Sequence, residues 1–330
     1  MTQRTITVEP DDGGVRLDRW LRRRFPALGN AKVQKLLRTG QIRVDGGRAK
    51  ANQRLAAGQE VRLPPFLRED AAPARPPPRQ RDIDAVRRLI LYEDEQVLVL
   101  DKPAGLAVQG GSGLSRHLDQ MLESLVGAKG ERPKLVHRLD KETSGILVLA
   151  KTVNAAGSLT QSFRTAAARK IYWALVKGVP APRSGLIEKP LAKQWTPAGE
   201  RVVVAADGKP ARSRYAVIDT LGKDLAWLAL APLSGRTHQL RVHCAELGHP
   251  IVGDAKYGGE IALAIAGPMG PLLHLHARAI DIPHPSGKRL RVMAPLPPAL
   301  RASWRTFGFD PSEGDDPFAP IRFKDRTSRA

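Results

Sequence analysis

The sequence predicts an α+β protein with two domains, a small basic α/β module followed by a larger domain. Helix-like and strand-like apolar patterns occur in both parts of the chain. A segment rich in proline and arginine at 64–82 separates them and is typical of a semi-rigid, extended linker. The part before it is strongly basic, because residues 16–62 contain thirteen lysines and arginines but three acidic residues. We therefore place the domain boundary in this linker.

Composition and charge limit the partners of the chain. Its net charge of +20 at pH 7 and isoelectric point near 10.6 predict attraction to a polyanion, with RNA as the expected one. No apolar segment reaches the roughly 20 residues of a membrane-spanning helix, and the N-terminus lacks an apolar signal core. The single cysteine, Cys244, excludes an intrachain disulfide and a cysteine-based zinc site. We therefore expect a cytoplasmic protein without a membrane partner.

The basic module is predicted at 14–63. Four apolar residues at helical spacing predict its first helix: Leu17, Trp20, Leu21 and Phe25. A second helix is predicted at 31–38, a short strand at 42–44 and a hairpin turn at 45–47. One interpretation of the arginines and lysines is that they merely keep a small domain solvated.

This order of elements resembles the RNA-binding module first described in ribosomal protein S-four. The matching segments are 16–18, 34–37, 40–46 and 58–61. The resemblance covers nearly all of 14–63 and agrees with the local charge, so we favour RNA binding over plain solvation. The basic residues to which we assign RNA contact are Arg16, Arg19, Lys32, Lys35, Arg38 and Arg43.

The larger domain is predicted at 83–308, and the tail at 309–330 is expected to lie outside its core. Apolar runs predict strands at 89–92, 97–100, 146–150, 169–178 and 213–218, with closing strands at 273–277 and 290–295. A helix is predicted at 155–165. The residues alone favour an edge strand at 169–178, with Tyr172 as a half-buried aromatic side chain.

A dense polar turn at 137–145 directly precedes the apolar strand at 146–150. A charged turn of this kind is usually a solvated loop. Its string, His-Arg-Leu-Asp-x-x-Thr-Ser-Gly, is more specific and resembles the signature loop of large-subunit ribosomal RNA pseudouridine synthases of the RluA/RluC type. The resemblance implies that Asp140 is the catalytic carboxylate. We assign Arg138 to hold the RNA, and expect His137 and Thr143 to shape the loop.

Three further motifs match the same family: Lys-Pro-x-Gly at 102–105, Lys-x-Tyr at 170–172 and Ser-Gly-Arg-Thr-His-Gln-Leu-Arg-Val-His at 234–243. One departure is Gln109, where many members have histidine. The resemblance covers roughly 88–300. It implies a mixed, mainly antiparallel sheet flanked by helices and crossed by the active-site cleft. It also places Tyr172 in the active site and pairs Arg241 with Asp140, while Lys102, Arg236 and His238 are assigned to the RNA substrate.

The implied reaction detaches uracil from ribose at N1, turns the base and rejoins it through C5. It consumes no redox equivalent, ATP or metal, so we predict no cofactor and no metal. The histidines at 238, 243 and 249 lack the His-Glu-x-x-His spacing of a zinc site. Asp140 could attack the ribose or the ring, or act through a glycal. Arg241 would keep it ionised, and Tyr172 would stack on the base and act as general base.

Two other functions remain open from the residues. The first is a non-catalytic RNA-binding or ribosome-assembly protein on the same scaffold, which would have no chemical need for Asp140, Tyr172 and Arg241 together. The second is an aspartyl hydrolase, but no second carboxylate stands out as its partner. We expect the protein to be a monomer.

Overall fold

The computed structural model describes residues 4–25, 28–67, 80–110, 117–125, 132–196, 199–267, 270, 272–312 and 318. The chain divides into two compact units, Met1–Pro77 and Pro78–Ala330. Most of the predicted linker, residues 68–79, lies outside the described residues. Its last three positions, 80–82, belong to a helix that starts the second unit, so the linker is shorter than predicted.

The N-terminal unit packs two helices, α1 (Leu17–Arg24) and α2 (Asn30–Arg38), with a four-stranded antiparallel sheet. The strands are β1 (Arg4–Thr7), β2 (Arg43–Val44), β3 (Gly47–Arg48) and β4 (Glu60–Leu63), in the order β1-β4-β2-β3. The two predicted helices are confirmed. The predicted hairpin is also confirmed, because Asp45 and Gly46 both have positive φ, as a two-residue β-turn between antiparallel strands requires.

The second unit is built on a sheet that contains ten of the described strands. They are β5 (Ile90–Glu93), β6 (Val97–Lys102), β7 (Lys134–Leu135), β8 (Ser144–Ala150), β9 (Arg169–Lys177) and β10 (Ser184–Glu188). A separate hairpin, β11 (Leu191–Thr196) and β12 (Gly199–Val204), follows. The sheet continues with β13 (Arg212–Leu221), β14 (Leu225–Pro232), β15 (Leu275–Pro283) and β16 (Arg289–Met293).

The strand order in this sheet is β10-β13-β14-β9-β15-β8-β6-β5, with β16 beside β15 and β7 beside β8. Among these described strands, β15 and β8 run parallel and all other neighbours are antiparallel, so the expected mixed, mainly antiparallel sheet is confirmed.

The helices of this unit are α3 (Gln80–Arg87), α4 (Leu118–Met121), α5 (Val153–Arg164), α6 (Gln239–Glu246), α7 (Gly259–Ala266) and α8 (Pro298–Thr306). No helix in the described ranges is long and apolar enough to cross a membrane.

Three local predictions need correction. Strand β9 is not an edge strand, because it lies between β14 and β15. Strand β15 does not close the sheet but lies near its centre, between β9 and β8. The tail prediction is wrong at Phe309, which is 3% exposed and packs 6.0 Å from the Trp227 ring. Residues 313–317 and 319–330 of the tail lie outside the described part of the chain.

Candidate active site

The Asp140 loop is fixed where it enters the sheet. All seven residues of β8 are buried, and β8 pairs with β15 through Gly145 and Ala277. Gly145 has φ +104°, and a Cβ at this position would collide with the Ala277 carbonyl, so another residue would push the two strands apart. On the loop itself, the Thr143 amide donates to the Asp140 carbonyl at 3.2 Å. The Asp140 loop is therefore held by the sheet rather than free in solvent.

His137 shapes this loop, as the sequence predicted. Its Nε2 accepts a hydrogen bond from the Val148 amide at 2.8 Å, and its ring stacks on Phe163 with centroids 4.2 Å apart. Burial, reinforced by the positive charge of Lys170, lowers the pKa of His137 to about 3. The imidazole is therefore neutral and serves as an acceptor for the strand behind the cleft.

Lys102 was assigned to the RNA, and this assignment is wrong. The side chain is fully buried, and its ammonium donates to the carbonyls of Pro103, Leu106 and Lys141 at 2.9–3.0 Å. Burial lowers its pKa to about 8, although the negative charges of Glu142 and Asp140 oppose that shift. With three donors all used on backbone carbonyls, Lys102 cannot reach a phosphate. Its bond to Lys141 instead ties the residue after Asp140 to the Lys-Pro-x-Gly turn.

The polar turn and the third motif meet at a cleft of about 670 Å³, within the range of small-molecule sites. Asp140, Tyr172 and Arg241 all line this cleft, although they come from a loop, from β9 and from α6. The three residues predicted to be catalytic are therefore brought together. Arg138 and Arg236 also line it and have exposed side chains, so cations are available at its rim.

Tyr172 is a half-buried residue at the centre of the sheet, paired with Leu230 on β14 and Ala277 on β15. Burial and the negative charge of Asp140 raise the pKa of the Tyr172 hydroxyl. The phenol therefore keeps its proton while Asp140 is ionised. A tyrosine in this state can stack on a base, but the protonated phenol is a poor proton acceptor.

The direct ion pair expected between Arg241 and Asp140 is not formed. The Arg241 guanidinium instead binds Asp254 in a bidentate pair, with Nε–Oδ2 at 2.8 Å and Nη2–Oδ1 at 2.6 Å. Asp254 is 1% exposed, so this pair is well shielded from solvent. The sequence showed Gly-Asp at 253–254 soon after the third motif, but nothing in its spacing indicated that this acid would take the arginine.

His238 is a titratable residue close to the Asp140 carboxylate. Its Nε2 lies 3.9 Å from Asp140 Oδ2, and its Nδ1 lies 2.7 Å from the Tyr257 hydroxyl. Burial lowers the pKa of His238, with a further contribution from Arg241 that the charge of Asp140 opposes. The sequence analysis assigned no role to Tyr257.

The histidines at 238, 243 and 249 have separate partners. His243 bonds to Ser213 Oγ and the Lys189 carbonyl, and His249 bonds to the Lys177 carbonyl. Among the described residues, no group of three or more histidine, cysteine or acidic side chains could hold a metal ion.

The same regions match known protein families. The RNA pseudouridylate synthase family matches residues 96–246, and the S4 domain matches residues 15–61. A curated relative from Salmonella typhimurium, "Ribosomal large subunit pseudouridine synthase C", is 37% identical over 90% of this chain and 94% of its own length. This chain belongs to the RNA pseudouridylate synthase family. It is therefore an RNA-binding isomerase.

Other members of the family agree with this assignment. The relative of the same name from Yersinia pestis is 37% identical over 90% of this chain and 93% of its own length. The solved structure of "Human RNA Pseudouridylate Synthase Domain Containing 4" is 29% identical and superposes with a TM-score of 0.58 over 68% of this chain and 95% of that one. A second human synthase structure, "Domain Containing 1", is also 29% identical, with a TM-score of 0.52 over 64% of this chain and 86% of its own.

Proposed function

We propose that this synthase converts specific uridines of large-subunit ribosomal RNA to pseudouridine, with Asp140 as the reacting carboxylate. The observation that carries the proposal is the position of Asp140, which faces a cleft of about 670 Å³ beside Tyr172. Its side chain is 18% exposed, so it is accessible to a base that enters the cleft. The choice of ribosomal RNA is supported by the names of the bacterial relatives.

Asp140 would act by covalent or electrostatic catalysis at the glycosidic bond. In the first case the carboxylate attacks ribose C1′ or ring C6, and uracil leaves from N1 and rejoins through C5. In the second case it helps to form a glycal. All atoms of the uridine are retained, and the proton on C5 is transferred to N1. The target uridine must first leave its stack, at a cost of a few kcal/mol.

Tyr172 would stack on the uracil and then remove the C5 proton. Its raised pKa means that little phenolate is present while Asp140 is charged, because burial and the negative carboxylate both disfavour the anion. If Asp140 becomes an ester in the reaction, the contribution of the carboxylate disappears, the pKa of Tyr172 falls and the hydroxyl loses its proton more easily at the step that needs a base. The order of the two steps would therefore set when the pKa of Tyr172 is low enough for it to lose its proton.

Arg241 would support the site through Asp254 rather than by a direct pair with Asp140. The bidentate Arg241–Asp254 pair fixes the guanidinium on α6, where it still lines the cleft and supplies positive charge. Arg138 and Arg236 at the rim would contact the RNA backbone.

The N-terminal unit would bind ribosomal RNA beside the target. Arg19, Lys32, Lys35 and Arg38 are exposed, which suits phosphate contact. Arg16 and Arg43 are half-buried and already bonded, Arg16 to Asp18 and Arg43 to the carbonyls of Gly40 and Gly46.

We place the enzyme in the cytoplasm, where ribosomal RNA would be modified. We propose that it acts as a monomer, since one chain supplies Asp140, Tyr172 and Arg241.

The test is to measure pseudouridine formation in large-subunit rRNA with the parent enzyme and with Asp140→Asn. The amide keeps the size of the side chain but carries no charge and is not a nucleophile, so turnover should fall about 1,000-fold while RNA affinity stays within about twofold. Asp207→Asn is the matched control, because Asp207 is exposed and does not line the cleft. An Asp140→Asn enzyme that keeps a tenth of the parent turnover would contradict the assignment, and modification of another RNA but not rRNA would contradict the substrate.

A further inference from the structure

His238 holds a costly backbone conformation beside the catalytic carboxylate. Its φ of 52° and ψ of 19° lie in the left-handed region, directly before α6. This region is unfavourable for a residue with a Cβ, and such positions persist where the surroundings require them. The conformation places the side chain so that Nε2 faces Asp140 Oδ2 and Nδ1 faces the Tyr257 hydroxyl.

Tyr257 is held from several sides. Its ring centroid lies 5.1 Å from Cζ of Arg241 and 5.2 Å from Cζ of Arg201. Its backbone amide donates to Asp254 Oδ1 at 3.1 Å, and that carboxylate is the one paired with Arg241. The position of the hydroxyl is therefore set by the same charged cluster that anchors α6.

The hydrogen bonds assign the proton between Tyr257 and His238. The Val202 amide on β12 can only donate, so the Tyr257 oxygen accepts its hydrogen bond at 3.2 Å. The hydroxyl proton then has His238 Nδ1, at 2.7 Å, as its acceptor. Burial raises the pKa of Tyr257 and lowers that of His238, so the phenol keeps its proton and the imidazole is neutral. A neutral imidazole that accepts at Nδ1 carries its proton on Nε2, the atom that faces Asp140.

We infer that Tyr257 and His238 form a positioning relay that directs an N–H donor at Asp140 Oδ2 and leaves Oδ1 for the reacting carbon of the uridine. The inference rests on the proposed function, in which Asp140 is the reacting group. The Nε2–Oδ2 separation of 3.9 Å is too long for a hydrogen bond and shortens to one when the substrate fills the cleft. Both tyrosine and histidine act through Asp140, and the relay transfers no proton.

The first experiment removes one atom of the relay. In Tyr257→Phe the ring and its cation contacts remain, but nothing holds the His238 tautomer. We expect kcat on rRNA to fall about tenfold with KM within about twofold, since a misdirected carboxylate weakens the chemical step and not RNA binding. Tyr215→Phe is the matched control, because the Tyr215 hydroxyl donates to the Pro182 carbonyl and the residue does not line the cleft.

The second experiment separates donation from structure at His238. His238→Gln keeps an N–H donor and His238→Leu does not, while both place a Cβ residue in the same left-handed position. We expect the Gln enzyme to retain at least about ten times the kcat of the Leu enzyme. Imidazole ¹⁵N NMR should show His238 protonated at Nε2 in the parent and as a mixture of tautomers in Tyr257→Phe.

The outcomes distinguish the relay from the proposed function. If Asp140→Asn is inactive but Tyr257→Phe turns over like Tyr215→Phe, the relay is refuted and the function stands. A parent His238 protonated at Nδ1, or equal kcat for the Gln and Leu enzymes, would also overturn the relay. If Asp140→Asn is active, the proposed function itself fails.

Discussion

In the N-terminal unit the side chains of Arg19, Lys32, Lys35 and Arg38 are exposed, whereas in the second unit Lys102 is fully buried and Arg241 is 8% exposed. The exposed cations lie on or beside α1 and α2, which bury their opposite faces in the core of the first unit. Lys102 and Arg241 use their donors on backbone carbonyls and on Asp254. Each of these six cations is therefore either exposed or bound to acceptors inside the protein, and the residue type alone does not say which.

Whether one of these cations is exposed or buried depends on the sequence beside it. Lys35 belongs to an amphipathic helix in which Val33, Leu36 and Leu37 take the buried positions. Lys102 ends strand β6, whose four apolar residues, 97–100, are all buried, and a proline follows it. A cation at the end of a buried strand is thus carried into the interior, where it must find acceptors.

Removing the N-terminal unit should give the largest of the expected effects, because it deletes the exposed cations and keeps the buried ones. A protein beginning at Pro78 keeps the whole second unit, whereas one beginning at Asp82 would cut into α3. We expect rRNA affinity to fall about 100-fold at 0.15 M salt, with kcat at saturating RNA within about twofold of the parent. If Arg19, Lys32, Lys35 and Arg38 each neutralise one phosphate, the slope of log K against log salt should become shallower by about 3.6.

Titrating both proteins with an rRNA fragment at several salt concentrations checks this prediction. Circular dichroism and thermal unfolding serve as the control for folding of the shortened chain. Equal affinity and equal salt slopes would mean that the exposed cations of the first unit only keep it solvated and do not bind rRNA.

A pair of identical substitutions, Lys102→Met and Lys35→Met, should give opposite results. Lys102→Met leaves three carbonyls without their donor and releases Lys141, so kcat should fall about tenfold while RNA affinity changes little. The loss in unfolding free energy should stay below about 2 kcal/mol, because the buried ammonium also carries a desolvation cost. Lys35→Met should weaken RNA binding about threefold and leave kcat unchanged.

Steady-state kinetics and RNA titration of the two variants, made side by side, decide the matter. Reduced RNA affinity with normal kcat in Lys102→Met would restore Lys102 as an RNA contact. Unchanged affinity in Lys35→Met would remove that residue from the binding surface.

Local patterns predicted most of the elements that frame the site. Apolar runs located β6, β8 and β9 within one or two residues, and helical spacing located α1 and α5. The order of the strands was not predictable from these runs, because a run of buried residues does not say which strands lie beside it. For that reason 169–178 was expected as an edge strand, although β9 pairs with β14 and β15.

The sequence predicted those site residues that a single motif contains. It did not predict the hydrogen bonds and ion pairs between residues that are far apart in the sequence. Asp140 and Tyr172 could be named from their motifs, and they line one cleft. The partner of Arg241 could not be named, since Asp140 and Asp254 are both acids and only the folded chain brings Asp254 to within 2.6 Å. The Tyr257–His238 contact has the same origin, because it joins a loop to the start of α6 across 19 residues.

The smallest expected effect concerns Asp101, a partly buried acid on β6 that the proposed chemistry does not use. Burial raises its pKa to about 6, against the opposing charge of Arg278. Between about pH 4 and 6 the unfolded chain therefore loses this proton before the folded chain does. The folded state binds more protons in this window, so stability falls as the pH rises and levels off above about 6.

Asp101→Asn should remove this component of the pH dependence. Because Asp101 is partly exposed, solvent screening reduces the gain in unfolding free energy to about 1 kcal/mol at pH 7, with no difference from the parent below about pH 4. Urea unfolding of the parent and the variant from pH 3.5 to 7.5 measures it. Glu60→Gln, at an exposed acid of the N-terminal unit, is the control and should follow the parent curve. If Asp101→Asn were instead less stable than the parent at pH 7, with the deficit disappearing as the pH falls below about 4, the sign would be reversed and the Asp101 carboxylate would stabilise the fold as a paired charge does.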